Sequence, residues 1–113
     1  KITPCSKGEQ LRDFLYVEDI ASAFVSILES NVVGPVNIGS GKTLAVKDLV
    51  RIICKKIGKH DLIKFGNLAT PPDDPKDMVA DITKLTKEVG WAPKYDLDTG
   101  IEKTILWWKN RLS

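Results

Sequence analysis

The segment from Val36 to Thr43 has the residue types of a phosphate-binding loop, because an apolar run leads into Gly39-Ser40-Gly41. A glycine-rich turn between a strand and a helix can present backbone N–H groups to phosphate. A Walker loop, however, needs glycine at the position of Val36, and a dinucleotide fingerprint needs glycine or alanine at the position of Leu44. The spacing therefore favours a tight turn that leads into a core helix, and we predict no nucleotide binding at this loop.

Other residues that could do chemistry lack suitable neighbours in the sequence. His60 is the only histidine and has no serine or cysteine partner that the sequence can supply, so we predict a surface residue. The aspartates between positions 73 and 77 lack the alternating spacing and trailing glutamate of a calcium loop. Cys5 and Cys54 lie far apart and predict two reduced thiols. We predict neither a catalytic residue nor a metal site.

Length and charge limit the class of protein to which these residues belong. At 113 residues the chain is one domain at most. Its 17 basic and 15 acidic residues nearly balance, so no strong attraction to nucleic acid or to an anionic membrane is expected. No apolar run is long enough to span a bilayer and no leader opens the chain. These features favour a cytoplasmic protein.

Two amphipathic helices are predicted in the first half of the chain. The first starts near Val17 and ends before Gly34-Pro35, and the second lies within Val46 to Ile57, with Gly58 available for a left-handed cap. Their apolar residues recur at helical spacing: Val17, Ile20, Ala21, Phe24 and Leu28 in the first, and Val46, Leu49, Val50, Ile53 and Ile57 in the second.

Two more helices are predicted towards the end of the chain. Asp81 is suited to cap the first of them, which Gly90 closes, and Asp98 is suited to cap the second. Their apolar positions are Leu85 and Val89 in the first helix, and Ile101, Ile105, Trp108 and Leu112 in the second.

The strand candidates between these helices are only a few residues long, too short for an independent sheet. They are Phe14–Tyr16, Val36–Ile38, Leu62–Phe65 and Met78–Ala80. The segment from Thr70 to Asp77 is rich in proline and aspartate, which predicts a rigid exposed loop. We therefore predict an α/β chain, of α+β type in isolation, that is rich in helix and has a few short strands.

Four blocks of sequence then follow one another in order. They are Arg12-Asp13-Phe14-Leu15-Tyr16-Val17-Glu18-Asp19, Val36-Asn37-Ile38-Gly39-Ser40-Gly41, Met78-Val79-Ala80-Asp81 and Val89-Gly90-Trp91-Ala92-Pro93. Together they closely resemble the C-terminal part of the extended short-chain dehydrogenases/reductases, the NAD-dependent nucleotide-sugar epimerases and dehydratases. The resemblance covers nearly the whole chain.

This resemblance implies that residues 1–113 are a single C-terminal substrate-binding domain or fragment. In the family, an N-terminal Rossmann domain carries the glycine-rich dinucleotide loop and a Tyr-x-x-x-Lys pair. Neither occurs here, since Ile20 and Thr99 stand where the lysines following Tyr16 and Tyr95 would be. The resemblance thus implies NAD(P) for a full-length enzyme, but no cofactor bound by this chain and no turnover by this chain alone.

The resemblance also implies three substrate-binding residues. Arg12 matches the family arginine that contacts the substrate's diphosphate, a role that suits the fixed donors of a guanidinium; as an alternative, it is a surface arginine beside a helix. Counting back from Asp81, Asp74 falls where the family has an aspartate that contacts the nucleoside. Met78 aligns with a position that shapes the sugar pocket, or else is a core strand residue. Pro71 stands where a second phosphate-binding arginine is expected.

Two functional hypotheses follow. In the first, the chain is the portion of an epimerase (an isomerase) or 4,6-dehydratase (a lyase) that binds a nucleoside diphosphate sugar, and its partner is the missing Rossmann domain. In the second, it is a freestanding interaction module whose apolar faces meet another protein. A chain without its Rossmann partner should also expose apolar surface, so we predict self-association.

Overall fold

A computed structural model describes residues 3–4, 7–59, 63–64 and 77–112 of the chain. The described residues belong to two compact units. The first runs up to Arg12 and resumes from Thr43 to Met78, and the second comprises Asp13 to Lys42 and the residues from Val79 onward. The chain therefore passes from the first unit to the second after Arg12 and again after Met78. That residues 1–113 act as one substrate-binding domain stays a prediction.

The first unit contains short strands, each of two residues. They are β1 (Thr3–Pro4), β2 (Leu11–Arg12), β3 (Leu44–Ala45), β4 (Ile63–Lys64) and β5 (Asp77–Met78). Strands β1 and β4 pair in parallel, and the other three form a sheet in the order β3-β2-β5. Within that sheet β2 runs antiparallel to β3 and parallel to β5. The fold is thus the predicted mixture of helices and a few short strands.

The strand predictions are confirmed only in part. Strand β4 lies within the predicted Leu62–Phe65, whose end residues fall outside the described ones, and Met78 is the only residue of the predicted Met78–Ala80 in a strand. The strands predicted at Phe14–Tyr16 and Val36–Ile38 are wrong. Apolar side chains from both runs pack against the core of the second unit, so burial rather than a strand ladder accounts for their hydrophobic pattern.

Helix α2, Val46–Ile57, follows directly after β3 and confirms the prediction for this segment. Asp48 lies in its first turn and Lys55 and Lys56 lie in its last, so the charges complement the helix dipole. Gly58 takes the predicted left-handed conformation, with φ of 71°. The Lys59 N–H donates to the Cys54 carbonyl at 2.8 Å, which completes the Schellman pattern of bonds at this end.

Helix α1, Val17–Glu29, carries one side of the core of the second unit. Ala23 and Leu85 are fully buried and Trp91 is nearly so, and these three side chains form one cluster. The Trp91 Nε1–H donates to the Ser22 hydroxyl at 2.9 Å, so the polar edge of the indole keeps a partner inside this packing. Partly buried neighbours surround the cluster: Leu15, Ile27, Val36, Ile38, Ile82 and Val89.

The third predicted helix forms as a short π-helix, Leu85–Val89, which two α-helical residues, Thr83 and Lys84, precede. Asp81 caps the start of this helical segment as predicted, since its carboxylate accepts the backbone N–H of Thr83 at 3.0 Å and the Thr83 hydroxyl at 2.7 Å. Gly90 ends it in the left-handed region, with φ of 79°. The Trp91 N–H then donates to the Leu85 carbonyl at 3.1 Å, which brings these two core residues together.

Helix α3, Leu97–Leu112, starts earlier than predicted. Its capping carboxylate is that of Asp96, which accepts the Thr99 N–H at 2.8 Å, whereas Asp98 lies inside the first turn. The prediction that Asp98 caps this helix is therefore wrong. The nearby Asp96 satisfies the same need of the helix for an acceptor at its N-terminus.

The apolar stripe of α3 is buried only near its start. Ile101 is buried, but Trp108 is 53% exposed and Leu112 is 80% exposed. The ring of Trp107 meets that of Trp108 edge to face at 4.9 Å, and the Arg111 guanidinium lies 4.6 Å from the Trp107 ring centre. Trp108 therefore packs against its neighbour on α3 instead of entering the core. Across the described parts of the chain, no helix combines the length and the hydropathy that crossing a membrane requires; the cytoplasmic location stays a prediction.

Candidate functional site

Arg12 and Met78, two of the three predicted substrate-binding residues, lie side by side in the first unit. Arg12 is in β2 and Met78 in β5, and the parallel register pairs them directly. On the other side of β2, Arg12 pairs with Leu44 of β3. Directly paired residues of neighbouring strands project from the same face of the sheet, so both side chains lie on one face. The structure thus brings together two residues that are 66 positions apart in sequence.

The surroundings of these two side chains differ. Met78 is 54% exposed, which argues against the alternative of a core strand residue. Arg12 is half-buried, and its Nη1 donates to the carbonyl of Leu11 at 2.9 Å. Asp74 and Pro71 lie outside the described residues, as do His60 and most of the predicted loop from Thr70 to Asp77.

Asp13, which sequence reasoning does not select, organises the start of the second unit. Its Oδ1 accepts the Ser40 N–H at 2.8 Å and the Ser40 hydroxyl at 2.7 Å. Its Oδ2 accepts the Gly41 N–H at 2.9 Å and the Ala80 N–H at 3.3 Å. One carboxylate therefore holds three segments of chain together through four hydrogen bonds, which we call the Asp13 junction.

The Asp13 junction explains the phosphate-like appearance of the glycine-rich loop. The amides of Ser40 and Gly41 point at an anion, as such loops do, but the anion is the carboxylate of Asp13. Gly41 has a φ of 74°, the left-handed conformation in which glycine lets adjacent amides converge. The sequence contains both the aspartate and the glycine turn, but they are 27 residues apart, so local spacing does not predict that Asp13 binds Ser40.

Asp13 has a pKa below its ordinary value. Partial burial acts to raise the pKa, but the hydrogen bonds from Ser40, Gly41 and Ala80 stabilise the ionised form and outweigh that effect. Because the pKa is lower in the folded state, the ionised carboxylate stabilises the fold above its ordinary pKa of 3.8. This contribution decreases as the pH falls below that value and is lost below the folded-state pKa.

We therefore predict that Asp13→Asn flattens the acid limb of the stability profile, measured as the free energy of unfolding by urea between neutral and strongly acidic pH. Asp81 is a suitable comparison because the hydroxyl and N–H of Thr83 lower its pKa, so Asp81→Asn should flatten the same limb. Asp13→Asn should in addition lower stability at neutral pH by more than Asp81→Asn does, since Asp13 joins distant segments. Identical profiles for the original chain and Asp13→Asn would contradict the assignment.

The carboxylate of Asp19, which is buried, also has a structural role. Asp19 is 1% exposed, and its two oxygens accept the N–H groups of Lys94 at 2.9 Å and Tyr95 at 3.2 Å. The segment before α3 is thereby tied to the first turn of α1. Next to it the Tyr16 and Tyr95 rings meet edge to face at 5.3 Å, and the Cβ of Tyr16 lies 2.9 Å from where a Cβ on Gly100 would be.

An open hollow of about 330 Å³ lies beside the Asp13 junction in the second unit. Its lining is mostly apolar: Asp13, Phe14, Leu15, Ile20, Phe24, Ile38 and Gly39. The polar group at its edge, the Asp13 carboxylate, already accepts four hydrogen bonds. Within the described ranges, no three His, Cys, Asp or Glu residues are grouped so that they could hold a metal ion. These features are those of a surface for binding or packing. The lining of the hollow does not include a nucleophile in contact with a base.

Comparison with known proteins assigns the chain to a family. The sequence model of the family described as GDP-mannose 4,6 dehydratase matches residues 1–104. The chain belongs to this family. This agrees with the resemblance to NAD-dependent epimerases and dehydratases drawn from the four sequence blocks.

A curated relative is UDP-glucuronic acid decarboxylase 1 from Xenopus tropicalis, 34% identical over 112 residues, which cover 99% of this chain and 26% of the relative. A solved structure of UDP-N-acetylglucosamine 4-epimerase from Methanobrevibacter ruminantium M1, in complex with UDP-N-acetylmuramic acid, is 29% identical with a TM-score of 0.86; the match covers 98% of this chain and 36% of that one. Another solved structure, dTDP-glucose 4,6-dehydratase from Bacillus anthracis in complex with NAD, is 26% identical with a TM-score of 0.84. The match covers 97% of this chain and 35% of the dehydratase chain. The chain thus spans about a quarter to a third of the length of these proteins.

Proposed function

We propose that this chain is the nucleotide-sugar-binding portion of an NAD-dependent nucleotide-sugar epimerase or 4,6-dehydratase. The observation that carries the proposal is the direct pairing of Arg12 with Met78 in the three-stranded sheet of a chain from this family. In this arrangement the guanidinium supplies charged donors for a diphosphate and the exposed thioether supplies an apolar contact for the sugar. The epimerase from M. ruminantium, which holds UDP-N-acetylmuramic acid, supports a ligand of this chemical class.

Asp74 completes the proposed site as a contact to the nucleoside. The proline at position 71, where the family resemblance leads one to expect a second arginine, removes one charged donor from the diphosphate. A hydrogen bond to a charged group contributes about 1.5–3 kcal/mol, so affinity for the diphosphate should depend strongly on Arg12. This dependence makes Arg12 the most informative residue to change.

The proposal assigns hydride transfer and proton transfer to a Rossmann part of the longer enzyme, so we expect no turnover from these 113 residues alone. The relative from B. anthracis binds NAD. In this chain the amides of the glycine-rich loop, at Ser40 and Gly41, already donate to Asp13. A dinucleotide phosphate needs such amides for itself. We therefore expect NAD(P) to be held outside this chain.

We predict that Arg12→Ala in the full-length enzyme weakens binding of the nucleotide sugar by about 10- to 150-fold, the equivalent of one charge-assisted bond. Binding of NAD should change far less, because the proposal places the cofactor elsewhere. Isothermal titration calorimetry with a panel of nucleoside diphosphates and their sugars measures both affinities and also identifies the base. Arg51→Ala on the exposed side of α2 is the matched control and should leave both affinities unchanged. An Arg12→Ala enzyme with unaltered nucleotide-sugar affinity would remove Arg12 from the site.

We predict that the 113-residue chain by itself forms dimers or larger species. Several large apolar side chains are more than half exposed, including Phe24 and Leu28 on α1 and Trp107 and Trp108 on α3. Exposed apolar area of this kind favours association in water. Sedimentation velocity over a range of concentrations measures the oligomeric state. A monomer at every concentration would refute the prediction.

The same exposed side chains favour a second candidate function, a freestanding module that docks on another protein. Nucleotide titration separates the two candidates, because the module has no reason to bind a nucleoside diphosphate. The genomic reading frame provides an independent test. Codons that continue upstream into a glycine-rich strand-helix unit and Tyr-x-x-x-Lys would exclude the freestanding module, and a start codon just before Lys1 would favour it.

A further inference from the structure

The residue that follows Arg12 is the centre of the Asp13 junction. We propose that Asp13 is a positioning residue for Arg12, holding the backbone just after the arginine so that its guanidinium meets the diphosphate in one orientation. This inference rests on the proposed function, since it concerns the same site. It assigns Asp13 no contact with the substrate.

The need for such a residue follows from how short the strands are. Strand β2 has only two residues, Leu11 and Arg12, and its partners β3 and β5 are equally short. Two-residue ladders provide few hydrogen bonds to hold a binding side chain in place. Arg12 is the last residue of its strand. The sheet restrains the backbone that precedes Arg12, and the contacts of Asp13 restrain the backbone that follows it.

The four hydrogen bonds of the Asp13 junction supply that second restraint. All lie between 2.7 and 3.3 Å, and they come from segments that are 27 to 67 residues away in sequence. Bonds to an ionised acceptor are among the stronger ones in proteins. The Ala80 bond is of particular interest because Ala80 is two residues beyond Met78, the residue that pairs with Arg12. Each of the two chain segments that carry proposed site residues thus leads directly into the junction.

The packing around the carboxylate leaves little freedom for it to move. Gly39 is buried, and a Cβ at that position would lie 2.6 Å from the Cβ of Ala80 and 2.8 Å from Oδ2 of Asp13. Contacts that short do not occur between real atoms of this kind, so only glycine allows this approach. The junction is therefore closely fitted, and Asp13 at its centre is joined to Arg12 by a peptide bond.

The chemistry of the junction requires a carboxylate. Oδ1 faces a backbone N–H and a hydroxyl, and Oδ2 faces two backbone N–H groups. An asparagine at position 13 must turn its NH₂ group towards one of these pairs, so at least one N–H donor then faces another donor. Asp13→Asn therefore alters the junction at nearly constant volume.

The test is a double-mutant cycle in the full-length enzyme, with Arg12→Ala, Asp13→Asn and the double variant. Calorimetry measures the affinity for the nucleoside diphosphate that the unaltered enzyme binds, and for the same nucleoside without phosphate. We expect Asp13→Asn to weaken diphosphate binding by at least about tenfold while nucleoside binding stays unchanged, and the double variant to bind no more weakly than Arg12→Ala. Asp81→Asn, which removes a carboxylate that caps the turn before the π-helix, should change neither affinity.

Additive losses, or an equal loss of nucleoside and diphosphate affinity in Asp13→Asn, would show a general structural role and overturn the proposal. If Arg12→Ala weakens diphosphate binding and Asp13→Asn does not, the positioning role alone is wrong. If Arg12→Ala has no effect, the proposed function fails and the role of Asp13 fails with it. Should Asp13→Asn not fold, Ser40→Ala provides the same test, since it removes the 2.7 Å bond and keeps the carboxylate. That variant should show a smaller loss that is again specific to the diphosphate and absent in the Arg12→Ala background.

Discussion

Replacing Leu85 by alanine is expected to lower the free energy of unfolding by about 2–5 kcal/mol, the cost of removing a large side chain from a closed core. Leu85 is fully buried and packs in one cluster with Ala23 and Trp91. It also begins the π-helix, and its carbonyl accepts the Trp91 N–H. Because the indole of Trp91 is held by its bond to Ser22, the surrounding side chains have little freedom to fill the cavity.

Urea denaturation followed by tryptophan fluorescence measures this loss, since Trp91 reports directly on the cluster. Leu28→Ala is the matched control, because Leu28 lies on α1 with 83% of its surface exposed and the same atoms are removed. We expect the control to change stability by less than about 0.5 kcal/mol. Equal losses in the two variants would mean that Leu85 does not lie in a closed core.

Replacing Asp19 by alanine is expected to destabilise the chain by about 2–6 kcal/mol, because two backbone donors lose their acceptor and each such loss costs about 1–3 kcal/mol. These donors are the N–H groups of Lys94 and Tyr95, which Asp19 joins to the first turn of α1. The carboxylate is 1% exposed, so its removal also leaves a space that solvent does not readily fill. Amide hydrogen exchange at residues 94 and 95 should rise together with the loss of global stability.

Glu18→Gln is the control for Asp19, since it removes the charge of an exposed neighbour in the same helical turn. A charge at a helix N-terminus contributes about 0.3–1 kcal/mol, so this variant should show only a small loss. A similarly small loss for Asp19→Ala would mean that water replaces the carboxylate, and would remove Asp19 from the stabilising contacts of the second unit.

The helices follow closely from the sequence, because a helix is specified by residues three and four positions apart. The spacing of Val46, Leu49, Ile53 and Ile57, together with Gly58, predicts both the extent and the end of α2, and the structure confirms them. Where two acidic residues compete locally, spacing is less decisive, so Asp96 takes the capping role expected of Asp98. The observed capping residue lies two positions before the predicted one, and the same helix forms.

The strands are less predictable, because pairing depends on segments distant in sequence. Val36–Ile38 and Phe14–Tyr16 have the composition of strands but pack on the core of the second unit, whereas Leu44–Ala45 pairs with β2 without a distinctive pattern. A run of two or three apolar residues satisfies either environment. The tertiary contacts therefore select which short run enters a sheet.

The four sequence blocks by themselves determined the family, and the match of the family model to residues 1–104 confirms it. They also pointed to Arg12 and Met78 as members of one site, because residues can be matched to the binding positions of a family without knowing the distances between them. Only the tertiary structure decided that these two residues are paired in adjacent strands, and that the amides of the glycine-rich loop are already bound to Asp13. The physical reason is that a carboxylate recognises converging N–H groups wherever the fold delivers them. That convergence, unlike the period of a helix, leaves no regular spacing along the chain.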